Sequence, residues 1–151
     1  MTRQAVEQWI SELAAPNPKF GGQATCPFAQ SAWREGHLEY EDCGRGQFRH
    51  GLLNRLYHVV YGFVGARKVH VLEFDPADYD VDLLAWIVER INAVHPHLLV
   101  LYIHPDDDEP SHPTLGLVLV QRRDDMMATI EVLRKTPYFD NNPLPEWYND
   151  A

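Results

Sequence analysis

Cys26 sits in the stretch GGQATCPFAQ, after a Gly-Gly pair and directly before a proline. Proline is preferred at the first position of a helix, because the N–H it lacks would be unbonded there. Pro27 therefore predicts a helix start with Cys26 at its cap. A thiol in that place meets the positive end of the helix dipole and free backbone N–H groups, both of which favour thiolate. It could serve as a nucleophile, a redox centre, or a ligand to a metal or haem iron. Simple packing competes with these roles, since free cysteine is among the most buried residue types. Cys43 lies beside Glu41 and Asp42, whose charges disfavour thiolate. Cys26 is thus expected to be the more reactive thiol. Neither cysteine has a C-x-x-C partner, which excludes a thioredoxin-like dithiol.

Eight histidines in 151 residues is a high count. His50, Asn54, Tyr57, His58 and Tyr61 fall at helical spacing beside a leucine stripe, a polar-aromatic face of the kind a ligand pocket needs. His50 and His58 are two turns apart, about 12 Å along the axis, too far to share a metal ion. In KVHVLEF, His70 alternates with Leu72 and Phe74, while Glu73 shares a face with Val69 and Val71. One of the two is expected to be buried. The loop HPDDDEPSHP offers His104, Asp106, Asp108 and His112 as donors for a divalent metal. Its spacing fits neither an EF-hand nor H-E-x-x-H.

The chain contains no G-x-G-x-x-G, P-loop or G-x-S-x-G motif, which removes dinucleotide, nucleotide and α/β-hydrolase readings. A formal net charge of -9 argues against binding a nucleic-acid backbone. No apolar run approaches the roughly 18 residues of a membrane helix, and the first residues lack the apolar core of a signal peptide. With two cysteines there is no disulfide framework, so a reduced, cytoplasmic protein is expected. The expected partners are a small-molecule substrate and, in a homodimer, a second copy.

At this length the simplest expectation is a single α+β domain spanning 1–151. Periodicity and caps predict helices over 3–14, 27–35, 49–64, 81–94 (with Asp80 as N-cap) and 123–135. Strands are predicted at HLEYE, KVHVLEF, HLLVLYI and TLGLVLV. The last two are nearly continuous apolar runs, expected as an antiparallel hairpin in the centre of the sheet. The segment DCGRGQ is expected to turn the chain. The order predicts a four-stranded, largely antiparallel sheet with helices on one face. From KVHVLEF onward, β-α-β-β-α matches most of a ferredoxin-like unit, and HLEYE could supply its missing fourth edge. The aromatic tail PYFDNNPLPEWYNDA carries too much apolar surface to leave in water and is expected to dock.

The succession of W-I, a loop, CPFA, a short helix and G-H-L-E-Y resembles a bacterial family of small proteins with a Leu-Cys-Pro-Phe-Ala motif. More remotely it resembles the YqcI/YcgG-like group, which includes haem-dependent enzymes of specialised metabolism. The likeness covers about residues 9 to 41 and reaches Cys26, Pro27 and Phe28; Thr25 stands where the first family has leucine. It implies a haem or metal cofactor near Cys26 and Phe28 and assigns no iron ligand. Together these observations lead to a small-molecule redox enzyme, dependent on haem or a metal. Cys26, Tyr57, His58 and Tyr61 are its candidate catalytic residues, with Cys26, Phe28, His50 and His70 about the cofactor. A non-catalytic interaction module and a cofactor-free cysteine enzyme are the alternatives.

Overall fold

The computed structural model describes residues 3–22, 26–43, 51–63, 68–108 and 112–149. The helices are α1 (Arg3–Ala14), α2 (Pro27–Arg34), α3 (Gly51–Tyr61), α4 (Val81–Val94), α5 (Arg123–Leu133) and α6 (Glu146–Asn149). The strands are β1 (Leu38–Asp42), β2 (Val69–Phe74), β3 (Leu98–Ile103) and β4 (Gly116–Arg122). Contacts divide the chain into two compact units, one of Met1–Gly36 with Asp124–Ala151, the other His37–Arg123.

The His37–Arg123 unit holds the whole sheet, in the order β1-β2-β4-β3. β2 pairs antiparallel with β4, and β4 antiparallel with β3. β1 therefore takes the fourth edge of the ferredoxin-like arrangement, but it runs parallel to β2. The period of two along each strand sends Leu72, Phe74, Leu98, Val100, Val118 and Val120 to one face. There they form one core with Leu52, Leu56, Val59 and Val60 of α3 and Leu84 and Val88 of α4. Val69, Val71, Leu99 and Leu117, on the opposite face, are buried as well. Both faces of β2 are thus closed, which explains why it reads as an almost unbroken apolar run.

The hairpin of β3 and β4 forms as expected, but only β4 lies centrally; β3 is an edge. An apolar edge strand needs cover for its outward N–H and C=O groups. Asn92 of α4 provides it: its Nδ2 donates to Val100 O at 2.9 Å and its Oδ1 accepts from Val100 N at 2.8 Å. Helix α4 itself starts where Asp80 Oδ1 accepts from the backbone of Asp82 at 2.8 Å and of Leu83 at 3.4 Å. The expected turn after Asp42 lies mostly outside the described residues.

In the other unit, α1 packs on α2, and Val6, Trp9, Ile10, Phe28 and Ala32 are buried. The aromatic tail docks here. Tyr138 stacks on Phe20 at 4.8 Å between centroids, and the Tyr148 hydroxyl bonds Glu131 while accepting from Arg134. Gly21 has φ of +65°, and a Cβ there would lie 2.6 Å from the Pro137 side chain. Glycine is required on both counts. Among the described residues no helix is long and apolar enough to cross a membrane.

Candidate functional site

The parallel register of β1 and β2 sets Glu39 directly opposite His70. Alternation returns Glu41 to the same face two residues on. The His70 side chain is only 6% exposed, and both of its ring nitrogens point at carboxylates. Nε2 lies 3.1 Å from Glu41 Oε2, and Nδ1 makes an ion-pair contact of 3.5 Å with Glu39 Oε2. An ionised carboxylate only accepts, and a neutral imidazole carries a single N–H. A neutral imidazole with its proton on Nε2 donates to Glu41, and protonation of the ring would add an ion pair with Glu39.

Glu41 is held from its other side by Arg55 of α3. The guanidinium grips both carboxylate oxygens, with Nη2 3.2 Å from Oε2. Burial by itself would raise the Glu41 pKa, but the hydrogen bonds from Arg55 and His70 outweigh it and hold the carboxyl below its ordinary value. Arg55, His58 and Val59 of α3, with Gly62 just after it, face Glu39, Glu41 and His70 across an open cavity of about 310 Å³. His58 is exposed at its rim. A buried imidazole, a half-exposed glutamate and a solvent-facing second imidazole form a set that can give, take and pass on protons.

Two of the residues expected from the sequence, His58 and His70, thus meet in one cavity. Glu39, Glu41 and Arg55 were missed there. The alternation in HLEYE puts both glutamates on one face, and that signal is present in the sequence; their pairing with His70 is not. Tyr57 and Tyr61 are exposed and line a different cavity, on the other side of α3. His50 lies outside the described residues. Glu73 is buried like His70, but on the opposite face, where it accepts from the Tyr40 hydroxyl. Burial first, and this bond second, push the Tyr40 pKa up.

Among the described residues, those of the β3–β4 loop included, no group of three or more His, Cys, Asp or Glu side chains could hold a metal ion. His104 is buried, and both of its nitrogens are engaged by backbone. Nδ1 accepts from Asp106 N at 3.1 Å, so Nε2 carries the proton and donates to Tyr79 O at 2.8 Å. His112 Nδ1 accepts from the N–H groups of Thr114 and Leu115. Asp106 and Asp108 are exposed. These histidines brace the loop.

Cys26 caps α2 as expected and is half-buried. It lines an apolar cavity of about 300 Å³ with Phe20, Phe28, Tyr138 and Trp147. Burial, and then the nearby thiol, push the Tyr138 pKa up to about 12. This space is at the lower end of small-molecule pockets, about 300–1,000 Å³. Among the described residues its lining holds Cys26, Met126 and Tyr138 as side chains able to ligate iron, but it offers haem propionates no cationic side chain, and at this volume it does not fit a haem. Cys43 follows β1 and is also half-buried. Burial, then Glu41 and Asp42, push its pKa up to about 12.

Fold and site together define an α+β protein built on a split β-α-β core, with a histidine–glutamate pocket between its parallel edge strand and the first core helix. Compared with known proteins, the chain matches no family model, no curated protein and no solved structure. The likeness of the Cys-Pro-Phe stretch to known families rests on those residues alone.

Proposed function

We propose that this protein is a small-molecule enzyme that works by general acid–base catalysis in the pocket between β1, β2 and α3. His70 is the proton carrier, and Glu39 and Glu41 set its charge and orientation. Arg55 positions Glu41, and His58 exchanges protons at the rim. The observation that carries this reading is the His70 ring, held between two carboxylates at the wall of an open cavity. Structural ion pairs can produce the same contacts. The space beside the ring is what favours catalysis.

Counting the histidines as neutral, two glutamates and one arginine leave the pocket anionic. It therefore suits a neutral or cationic polar molecule. The fitting reaction class is proton transfer at carbon or oxygen, as in isomerisation, elimination or hydrolysis. A redox reaction at haem has less support, because the lining around Cys26 does not fit that group. A cysteine nucleophile is the second reading, favoured by the Cys26 thiol at the wall of its own cavity.

Thermal-shift screening against sugars, polyols, amines and amino alcohols, followed by NMR of the mixtures with binders, tests the proposal. Turnover of a binder is expected, and His70→Gln should lower kcat by about 10²–10⁴-fold with the fold retained. Turnover that survives His70→Gln but disappears in Cys26→Ser would replace this reading with the second.

A further inference from the structure

We propose that the cleft between α3 and α4 is a binding site for a small organic anion with a flat apolar body. This site is on the far side of α3 from the histidine–glutamate pocket and does not depend on the reading of that pocket. The cleft has a volume of about 330 Å³, and Leu53, Leu56, Val60, Ile87 and Ile91 contribute an apolar lining. Its mouth is aromatic. Tyr57 and Tyr61 stack at 4.6 Å between centroids, and His95 meets Tyr61 edge-on at 5.0 Å.

Four large apolar side chains stand unusually open around this face: Tyr57 is 58% exposed, Tyr61 64%, Val94 68% and Trp86 54%. Single exposed apolar residues are normal in a folded protein, whereas a contiguous patch marks a binding surface. The polar members of the lining decide what it binds. Arg90 lies at the cleft with its guanidinium carbon 4.8 Å from the centre of the Trp86 ring. Among the described residues no carboxylate pairs with it. In a chain of net charge -9 an arginine left without an acid is notable, because acids outnumber bases by 22 to 13.

A guanidinium stacked on an aromatic face keeps its N–H edge free, and that edge matches a carboxylate or sulfonate in a bidentate fashion. An anion at Arg90 would place an attached ring over the apolar floor, against Tyr57 and Tyr61. Among the described residues no carboxylate lines the cleft to oppose it. A neutral apolar ligand would leave the arginine unused. A cation would meet Arg90 as a like charge.

Isothermal titration calorimetry with 2-naphthoate, and with naphthalene-2-methanol as its uncharged counterpart, tests the site in the full chain. The naphthoate should bind at least tenfold more tightly than the alcohol. Arg90→Met should abolish that difference while leaving alcohol binding unchanged, and Arg90→Lys should restore part of it. Tyr61→Ser should weaken both probes. Both residues are exposed enough for the three variants to fold, which unchanged circular dichroism and melting would verify. Equal affinity for the two probes, no binding of naphthoate at millimolar concentration, or no effect of Arg90→Met would each overturn the proposal. So would a dimer, seen by light scattering, that Tyr61→Ser dissociates, because the cleft would then be occupied by a second copy.

Discussion

Helix α3 borders two cavities of nearly equal size and opposite character. Arg55, His58 and Gly62 line a polar cavity of about 310 Å³. Leu53, Leu56 and Val60 line an apolar one of about 330 Å³. Both rows are spaced by three and then four residues, and they are offset by two. At about 100° per residue that offset is roughly 200°, which puts the rows on opposite sides of the helix. The buried face of Leu52, Leu56, Val59 and Val60 overlaps both, sharing Leu56 and Val60 with the apolar lining and Val59 with the polar one. One amphipathic helix can therefore serve two sites of different chemistry, provided that its neighbours differ. On one side stands a strand carrying glutamates, and on the other an apolar helix.

The largest effect is expected where the buried face of α3 meets the apolar side. Leu56 is 1% exposed and belongs both to the core and to the apolar lining. Leu56→Ala should cost about 2–5 kcal/mol in urea unfolding. It should also enlarge the apolar cavity and leave the polar one intact. A loss below 1 kcal/mol would show that the two sides of α3 do not share one core.

On the polar side, Glu41→Gln removes the acceptor that binds both Arg55 and His70. A destabilisation of about 1–3 kcal/mol is expected. A double-mutant cycle with Arg55→Met should give a coupling of about 0.5–3 kcal/mol. A coupling near zero would reduce the Arg55 contact to a surface ion pair.

The same glutamate sets a pH dependence. Its folded pKa lies below the ordinary value of 4.5, so the folded state binds this proton less readily than the unfolded chain. Its stabilisation is complete above that ordinary value and is lost as pH falls through the lower folded value. Unfolding midpoints followed from pH 6 down to pH 3 should fall, and Glu41→Gln should flatten that fall. Parallel curves for both proteins would place the acid sensitivity elsewhere.

Cys43 sharpens the contrast between the two thiols. With its pKa pushed up to about 12 it stays protonated at pH 8. Peptide mass spectrometry after iodoacetamide treatment should find Cys26 labelled before Cys43. The reverse order would leave Cys26 as a packing residue and remove the support for a cysteine nucleophile.

The smallest effect is expected at the mouth of the apolar cleft. Tyr57 is 58% exposed, so Tyr57→Ser should change stability by no more than about 0.5 kcal/mol. A larger loss would mean that the aromatic mouth supports the fold and is not free to receive a ligand.

Much of the fold was legible because its signals are local. Asp80 caps α4, Pro27 opens α2 with Cys26 at its cap, and the tail docks through the aromatics its composition singled out. The site was legible only in part. The spacing of His50, Asn54, Tyr57, His58 and Tyr61 predicts one helix face, and the four of them that are described are exposed. His58 lines one cavity and Tyr57 and Tyr61 another, because neighbouring elements stand on both sides of the helix. The acidic loop suggested a metal by composition, yet imidazole nitrogens compete for backbone N–H groups as readily as for metal ions. In His104 and His112 the backbone won. The apolar run of β3 suggested a central strand, but what it reports is cover, and Asn92 and the core face of α4 provide that at an edge.

The sequence by itself determined the four strands and five of the six described α-helices, the caps that start α2 and α4, and which strand residues share a face. Those properties depend on contiguous residues and on the fixed periods of helix and strand. Only the tertiary structure decided that β1 runs parallel to β2, with Glu39 opposite His70. The contact between Glu41 and His70 spans 29 positions and that between Glu41 and Arg55 spans 14. Strand direction and register are settled by which faces can be buried together, and a shift of one residue would have turned both glutamates away from the histidine.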